Sequence, residues 1–229
     1  VIWGDKMARG DFPTFSHRPP KILWAHGFEG SPNGSKPTWI KENLGWDVVS
    51  IDMSKNGWTI ADQTKIVLDK ILENDNFDLI MGSSYGALAI ANAASQIVDR
   101  KMCLVLMAPA FGLAENFQKK IGDEGLDEWE HSGFRPYFHH GYNEEILLSW
   151  DFMISAKKMS WPEIGNHPTV IIHGISDEIV PIESSRKVAK YSKCIELIEV
   201  NDGHRLKNSL HIIQDAANAI EGIDCNDIA

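Results

Sequence analysis

Short apolar runs alternate along the chain with longer stretches whose apolar residues fall at helical spacing. Lys21–His26, Trp46–Ile51, Phe77–Met81, Cys103–Met107, Thr169–His173 and Ile195–Val200 are nearly continuous in apolar and β-branched residues. Each is followed by a turn-forming residue, as expected of strands buried on both faces. Between them, Ile60–Leu72 carries an apolar stripe at 60, 67, 68, 71 and 72. Tyr85–Val98 is Ala-rich and free of Gly and Pro beyond its first turn, Ile182–Tyr191 follows Pro181, and Leu206–Ile220 places Leu206, Leu210, Ile213, Ala217 and Ile220 on one face. Strands joined through helices imply right-handed crossovers. The pattern predicts an α/β fold: a mostly parallel six-stranded sheet with helices on both faces.

The alternation breaks once. Phe111–Pro168 shows no convincing strand and is rich in aromatics, among them Trp129, Phe134, Tyr137, Phe138, Trp150 and Trp161. Leu113–Ile121 reads as a short helix. Glu144–Met159, with Ile146, Leu147, Trp150, Met153 and Ile154, reads as a longer one. The expected organisation is therefore a core at 21–110 and 169–220, a helical cap at 111–168 and an N-terminal extension at 1–20. Val1–Pro20 is polar, which predicts no secretory leader, and Met7 reads as a translation start with Val1–Lys6 ahead of it.

Composition narrows the function. The 229 residues are 43% hydrophobic and 24% charged, values of a globular chain that buries a core. The formal net charge is −10 with no Lys/Arg cluster, which argues against nucleic acid and against an anionic membrane surface. No apolar run approaches the ~18 residues of a membrane span. Cys103, Cys194 and Cys225 are too few for a disulfide framework, and Cys103 lies in an apolar run. A cytoplasmic location follows as the default expectation.

The strongest chemical signal is Gly82-Ser83-Ser84-Tyr85-Gly86, a G-x-S-x-G string between a predicted strand and a predicted helix. So sharp a turn tolerates only small residues two before and two after the serine, and it holds the Ser84 hydroxyl out at the sheet edge. A serine nucleophile needs a base, and the base needs an orienting acid. His204 in Asn201-Asp202-Gly203-His204 follows the sixth strand, and Asp177 in His173-Gly174-Ile175-Ser176-Asp177 follows the fifth. All three residues are expected at the same sheet edge. Asp202 and Glu178 are rivals for the acid; Asp202, two residues from His204, reads as a turn residue. His173 reads as a packed strand-end residue, and His26 as shaping its own loop. His131, His139, His140 and His167 belong to the cap or its edge. Their spacing completes no metal-ligand pattern, so no metal and no cofactor are expected. The oxyanion donors are expected to be the backbone N–H groups of Tyr85 and of Phe28, in the loop His26-Gly27-Phe28-Glu29-Gly30. Glu29 has no assigned role beyond a solvated side chain. Cap aromatics such as Trp150 are candidate substrate contacts, or else the cap's own small core.

His26-Gly27, the elbow around Ser84, Asp177 ahead of Ile179-Val180-Pro181, and Gly203-His204 together resemble the α/β-hydrolase superfamily over about Lys21 to Ile220. The opening HGFEGSPNGSKPTWI is similar to small bacterial YqiA-type serine esterases, from which the long aromatic cap departs. The resemblance implies hydrolysis of carboxylic esters or thioesters through an acyl-enzyme, with the two leading antiparallel strands of the full hydrolase sheet missing. The expected function is a serine carboxylesterase acting on a small-molecule ester, with short-chain alkyl or aryl esters foremost. Thioesterase, peptidase, carbon–carbon hydrolase and haloperoxidase chemistry on the same triad, or a non-catalytic binding module, are the alternatives.

Overall fold

The structure, a computed structural model, describes residues 18–73, 76–223 and 225. The expectations for Val1–Lys6, Met7 and most of the N-terminal extension fall outside these residues. Six parallel strands form one sheet: β1 (Lys21–Ala25), β2 (Asp47–Ile51), β3 (Leu79–Ser83), β4 (Leu104–Met107), β7 (Thr169–Gly174) and β8 (Ile195–Val200). Their order across the sheet is β2-β1-β3-β4-β7-β8. Every pairing is parallel, so among the described residues no antiparallel leading strand joins the sheet.

Period-two alternation divides the core into two layers. Ile22 and Trp24 of β1, Leu79 and Met81 of β3, and Val105 and Met107 of β4 face one layer, which α7 (Ile212–Ile220) closes with Ile213, Ala216, Ala217 and Ile220. Leu23, Ala25, Ile80, Leu104 and Leu106 face the other. There α3 (Tyr85–Ala94) lies against the sheet with every residue buried, and α2 (Ile60–Glu73) packs on α3. The Ala-rich composition of α3 follows from this position: small side chains let one helix approach both sheet and neighbour. Its predicted extension to Val98 does not form. The chain turns at Ser95–Ile97, and Val98 stands in solvent with no layer to cover it.

Predicted helix Leu206–Ile220 also starts late, at Ile212. Leu206 has a φ of 51°, and Asp202 takes hydrogen bonds from the Asn208 N–H (2.8 Å) and the Ser209 hydroxyl (3.0 Å). Those bonds hold residues 206–211 in successive turns. Cys194, before β8, is paired in a disulfide with Cys225 beyond α7, which the cysteine count did not anticipate.

The inserted segment is not wholly helical. After β4 comes α4 (Leu113–Ser132), kinked at Gly122, where φ is 78° and ψ 168°; the expected helix Leu113–Ile121 is its first part. A two-stranded antiparallel sheet follows, β5 (Phe134–His139) and β6 (Glu144–Ser149), and then α5 (Asp151–Met159). The predicted helix over Glu144–Met159 is thus correct only for its second half. The run has two readings, and packing selects period two: Ile146 and Leu148 point inward while Leu147 between them is 63% exposed. The same alternation along β5 turns Tyr137 and His139 inward and Phe134 and Phe138 outward.

Phe152 of α5 joins the segment to the sheet domain. It is 1% exposed and meets the rings of Phe28, Tyr85, Phe117 and Trp129 at centroid distances of 4.8 to 5.9 Å. The α5 helix is further tied by the Asn92 side chain, which donates to the Met159 carbonyl at 3.0 Å, and by Ser155, whose hydroxyl accepts the Ala61 N–H at 2.9 Å. Phe152→Ala is expected to lower stability by about 3–5 kcal/mol through the cavity it leaves. Chemical denaturation of the purified variant measures this. A change under about 1 kcal/mol would show that the segment is not anchored by this ring.

Candidate active site

Ser84 links the end of β3 to the start of α3 in a backbone conformation of φ 55° and ψ −115°. A non-glycine residue there costs about 1–3 kcal/mol and persists only where its surroundings enforce it. Here they do. The Ser84 N–H donates to the Met107 carbonyl at 2.8 Å, and its own carbonyl accepts the N–H groups of Leu88 (3.0 Å) and Ala110 (3.1 Å). The glycines of the motif answer to close approach. A Cβ on Gly86 would fall well inside 3.0 Å of the Ala25 and His26 carbonyl oxygens, and one on Gly82 would lie 2.6 Å from Ile90 Cδ1 and 2.9 Å from the Ala25 oxygen. The N-terminal turn of α3 therefore sits directly against the end of β1. The Tyr85 N–H is among the first-turn donors that an α-helix leaves without an internal acceptor.

The loops after β7 and β8 bring two side chains to Ser84. His204 Nε2 lies 3.0 Å from Ser84 Oγ, and His204 Nδ1 lies 2.7 Å from Asp177 Oδ2. The Asp177 side chain is fully buried and that of His204 is 11% exposed. Asp177 Oδ1 accepts the N–H groups of Ile179 (2.9 Å) and Val180 (2.8 Å), so the Ile-Val-Pro stretch after it is the carboxylate's cradle. Burial by itself pushes this carboxyl up. Hydrogen bonds from His173 and His204, the nearby imidazole and the Val180 N–H outweigh burial and hold it well below the usual carboxylate range.

His173 is a contact that sequence reasoning missed. It is packed at a strand end as expected, but its Nε2 reaches Asp177 Oδ2 at 3.1 Å and the Val180 carbonyl at 3.0 Å. Its Nδ1 meets the Ser185 hydroxyl at 2.7 Å. With two acceptors facing Nε2, that nitrogen carries the proton and donates. The rivals for the acid lie elsewhere. Asp202 accepts its own turn's N–H groups at Gly203 and Asn208, and Glu178 accepts the His204 N–H at 3.3 Å. Beside the His204 loop, burial and the charge of Arg205 push Lys36 down to about 8 against the opposing charge of Asp202.

The loop after β1 completes this edge. A Cβ on Gly27 would lie 3.2 Å from Ser84 Cβ, so the loop backbone abuts the serine. The Gly27 carbonyl accepts the Gly30 N–H at 2.9 Å and faces His26 Nδ1 at 2.9 Å. Because His26 Nε2 accepts the Met53 N–H at 3.2 Å, the imidazole proton sits on Nδ1. Burial pushes His26 below its ordinary value, with the Gly27 contact and the charge of Asp52 opposing. In a trans peptide the N–H points opposite to the C=O, so these bonds direct the Phe28 N–H away from the turn. The Phe28 ring is a hub, in contact with Trp58, Tyr85, Tyr137, His139 and Phe152. Glu29, unexplained by the sequence, accepts the Tyr137 hydroxyl. Trp150 packs on Trp129 at 5.6 Å and under Lys157, two rings removed from Tyr85.

A parallel sheet of this order, with a strained serine after its third strand and with acid and imidazole in loops further along, defines the α/β-hydrolase superfamily. Within it, the chain belongs to the uncharacterised protein family UPF0227, whose profile matches residues 21–220. The chain is 26% identical to bovine (Bos taurus) mitochondrial palmitoyl-protein thioesterase ABHD10, over 90% of this chain and 75% of that protein. The solved mouse α/β hydrolase domain-containing protein 10 superposes with a TM-score of 0.70 at 21% identity, covering 95% of this chain and 98% of that one. Est1E of Butyrivibrio proteoclasticus, solved with ferulic acid bound, superposes at 0.67 and 20% identity over 91% and 90%. Among the described residues no helix is long and apolar enough to cross a membrane.

Asp177 gives a pH prediction. Its folded-state pKa lies below the ordinary 3.8, so its stabilisation is present above that value and is lost as pH falls through the folded value. Asp177→Asn is therefore expected to cost about 3–5 kcal/mol at neutral pH, with the gap to wild type narrowing below about pH 4. Urea denaturation of both proteins across pH measures the gap. A constant gap would mean that the carboxylate's charge is not what the surrounding donors stabilise.

Proposed function

We propose that this protein is a serine hydrolase that cleaves carboxylic esters through an acyl-enzyme on Ser84. The observation that carries the reading is the unbroken hydrogen-bonded line from Ser84 Oγ through the His204 ring to Asp177. In the proposed reaction His204 Nε2 takes the Ser84 proton as Oγ attacks the acyl carbonyl carbon. Asp177 fixes the imidazole tautomer and stabilises the imidazolium that forms. The backbone N–H groups of Phe28 and Tyr85 hold the negative oxygen. When the intermediate collapses, the bond to the leaving oxygen breaks and that oxygen takes the proton from His204. A water that gives its proton to His204 then attacks the acyl carbon, and Ser84 leaves with that proton. The free acid departs, and no cofactor enters the cycle.

The substrate assigned is a small ester with an alkyl or aryl group. The wall of rings around Phe28 supports it, as does the ferulic acid in the similarly folded Est1E. A thioester is the second reading, favoured by the name of the ABHD10 relative. The same acyl-enzyme serves both, and matched oxygen and sulfur esters of one acyl group separate them by kcat/KM.

A fluorophosphonate probe is expected to label Ser84, and Ser84→Ala to abolish both labelling and ester hydrolysis. Asp177→Asn is expected to reduce kcat by about 10⁴-fold by trapping the wrong tautomer. Peptide mapping of the labelled protein is the decisive measurement. An adduct on another serine, or wild-type turnover in Ser84→Ala, overturns the proposal.

A further inference from the structure

The β5–β6 hairpin does more than cover the sheet edge. Its inner face meets the loop after β1 at three places. His139, at the end of β5, lies with Nε2 2.6 Å from the Phe28 carbonyl oxygen. Tyr137, two residues earlier on the same face, donates its hydroxyl to the Glu29 carboxylate. In the hairpin turn, a Cβ on Gly141 would fall well inside 3.0 Å of the Glu29 carbonyl oxygen, so backbone lies against backbone. We propose that His139 is a positioning residue for the oxyanion-binding loop, holding the Phe28 peptide in the orientation that the reaction uses. This rests on the reading of Ser84 as nucleophile and of the Phe28 N–H as an oxyanion donor.

The hydrogen-bond pattern around His139 leaves it one role. The ring is fully buried. Its Nδ1 accepts the Tyr142 N–H at 3.1 Å, which puts the ring proton on Nε2, facing the Phe28 oxygen. Both nitrogens are engaged, so neither serves as a base or a metal ligand in this arrangement. The ring itself is wedged between Trp58 (4.8 Å) and Tyr142 (4.7 Å), which prevents it from turning.

The effect on Phe28 follows from peptide geometry. His26 and the Gly30 N–H hold the carbonyl of the peptide before Phe28, and His139 holds the carbonyl of the peptide after it. Two planes fixed on either side of one Cα leave that residue little freedom. The Phe28 N–H is then aimed before substrate arrives, and donors aimed in advance need no reorganisation as charge develops. Loss of His139 frees the second plane, and because both planes share the Phe28 Cα, the first plane, which carries the Phe28 N–H, shifts with it although the Gly27 carbonyl stays tethered. The expected result is a misdirected donor rather than a missing one. Since the oxyanion exists only beyond the ground state, the cost falls on kcat and leaves KM nearly unchanged.

The test compares His139→Leu, which fills the space without a donor, with His139→Gln, which keeps an amide N–H near the Nε2 position. Each is assayed on an aryl acetate well below its own melting temperature, beside wild type and a fluorophosphonate labelling time course. The Leu variant is expected to lose about 10- to 100-fold in kcat with KM within about twofold, and to label more slowly at Ser84. The Gln variant is expected to recover most of that loss. Wild-type kcat in the Leu variant, a change confined to KM, or a Gln variant no better than Leu overturns the proposal. If the Leu variant does not fold, His139→Met, which likewise fills the space without an N–H donor, takes its place under the same expected and overturning outcomes. Failure of wild type to label at Ser84 defeats the hydrolase reading itself, whereas normal wild-type labelling with unaffected variants defeats only the role of His139.

Discussion

The contact on which this molecule turns is the approach of Gly86 to the carbonyl oxygens of Ala25 and His26. Those two oxygens belong to the last residue of β1 and the one after it, and Gly86 is the second residue of α3. No side chain fits between them. The close contact forces the chain to pass from strand to helix within one residue, and that residue, Ser84, absorbs the cost as a positive φ. The same contact sets the start of α3 beside the loop that leaves β1, so the Gly27–Phe28 backbone and Ser84 become neighbours. A bulkier residue at position 86 would separate all three features together. The strain is retained because it is held from several sides: the Met107 carbonyl and the Ala110 N–H belong to β4 and its exit, not to the turn itself.

A second principle orders the polar groups around that turn. Imidazole can carry its proton on either nitrogen, and a backbone donor or acceptor decides which. The Met53 N–H assigns the tautomer of His26, the Tyr142 N–H that of His139, and the Val180 carbonyl that of His173. His26 and His139 then point the other nitrogen at the Gly27 and Phe28 carbonyls, while His173 donates from that same Nε2 toward Asp177 Oδ2 and leaves Nδ1 to the Ser185 hydroxyl. His204 differs. Like His173 it faces a carboxylate and a hydroxyl, but His173 and its Ser185 partner are fully buried, whereas the His204 side chain is 11% exposed and its hydroxyl partner is Ser84 of the strained turn. The contrast separates the histidine proposed to act from those that hold others in place. It also explains how Asp177 tolerates complete burial, since two backbone N–H groups and two imidazoles surround its oxygens.

The parts legible in the sequence were those fixed by local rules. Strands buried on both faces read as continuous apolar runs, and G-x-S-x-G between a strand and a helix identifies the turn around Ser84. Asp177 and His204 were legible because loops after parallel strands share an edge, so topology does the work of proximity. The hairpin was not legible. In Ile146-Leu147-Leu148 an apolar residue at each position satisfies helix and strand alike, and only the layer beneath Ile146 and Leu148 decides between them. The contacts of His173 with Asp177 and of His139 with Phe28 were hidden for another reason. One closes over 4 residues and the other over 111, and neither histidine sits in a motif. Glu29 was opaque on the same ground, because its partner Tyr137 is 108 residues away.

These long-range bonds bear on what the inserted segment is. A lid that only covers a site touches it through side chains and can leave without exposing backbone. Here the segment supplies the donor to the Phe28 carbonyl, the hydroxyl to Glu29 and the ring beneath Tyr85, so withdrawing it would strip polar partners and apolar cover at once. A buried carbonyl left without its donor costs about 1–3 kcal/mol, and exposing Phe152 adds a further about 1.5–3. Both costs oppose withdrawal as a rigid body. On this argument the segment is an integral wall of the site, and the chemistry of its inner face, two polar anchors among stacked rings, belongs with the loop after β1 rather than with a detachable cover.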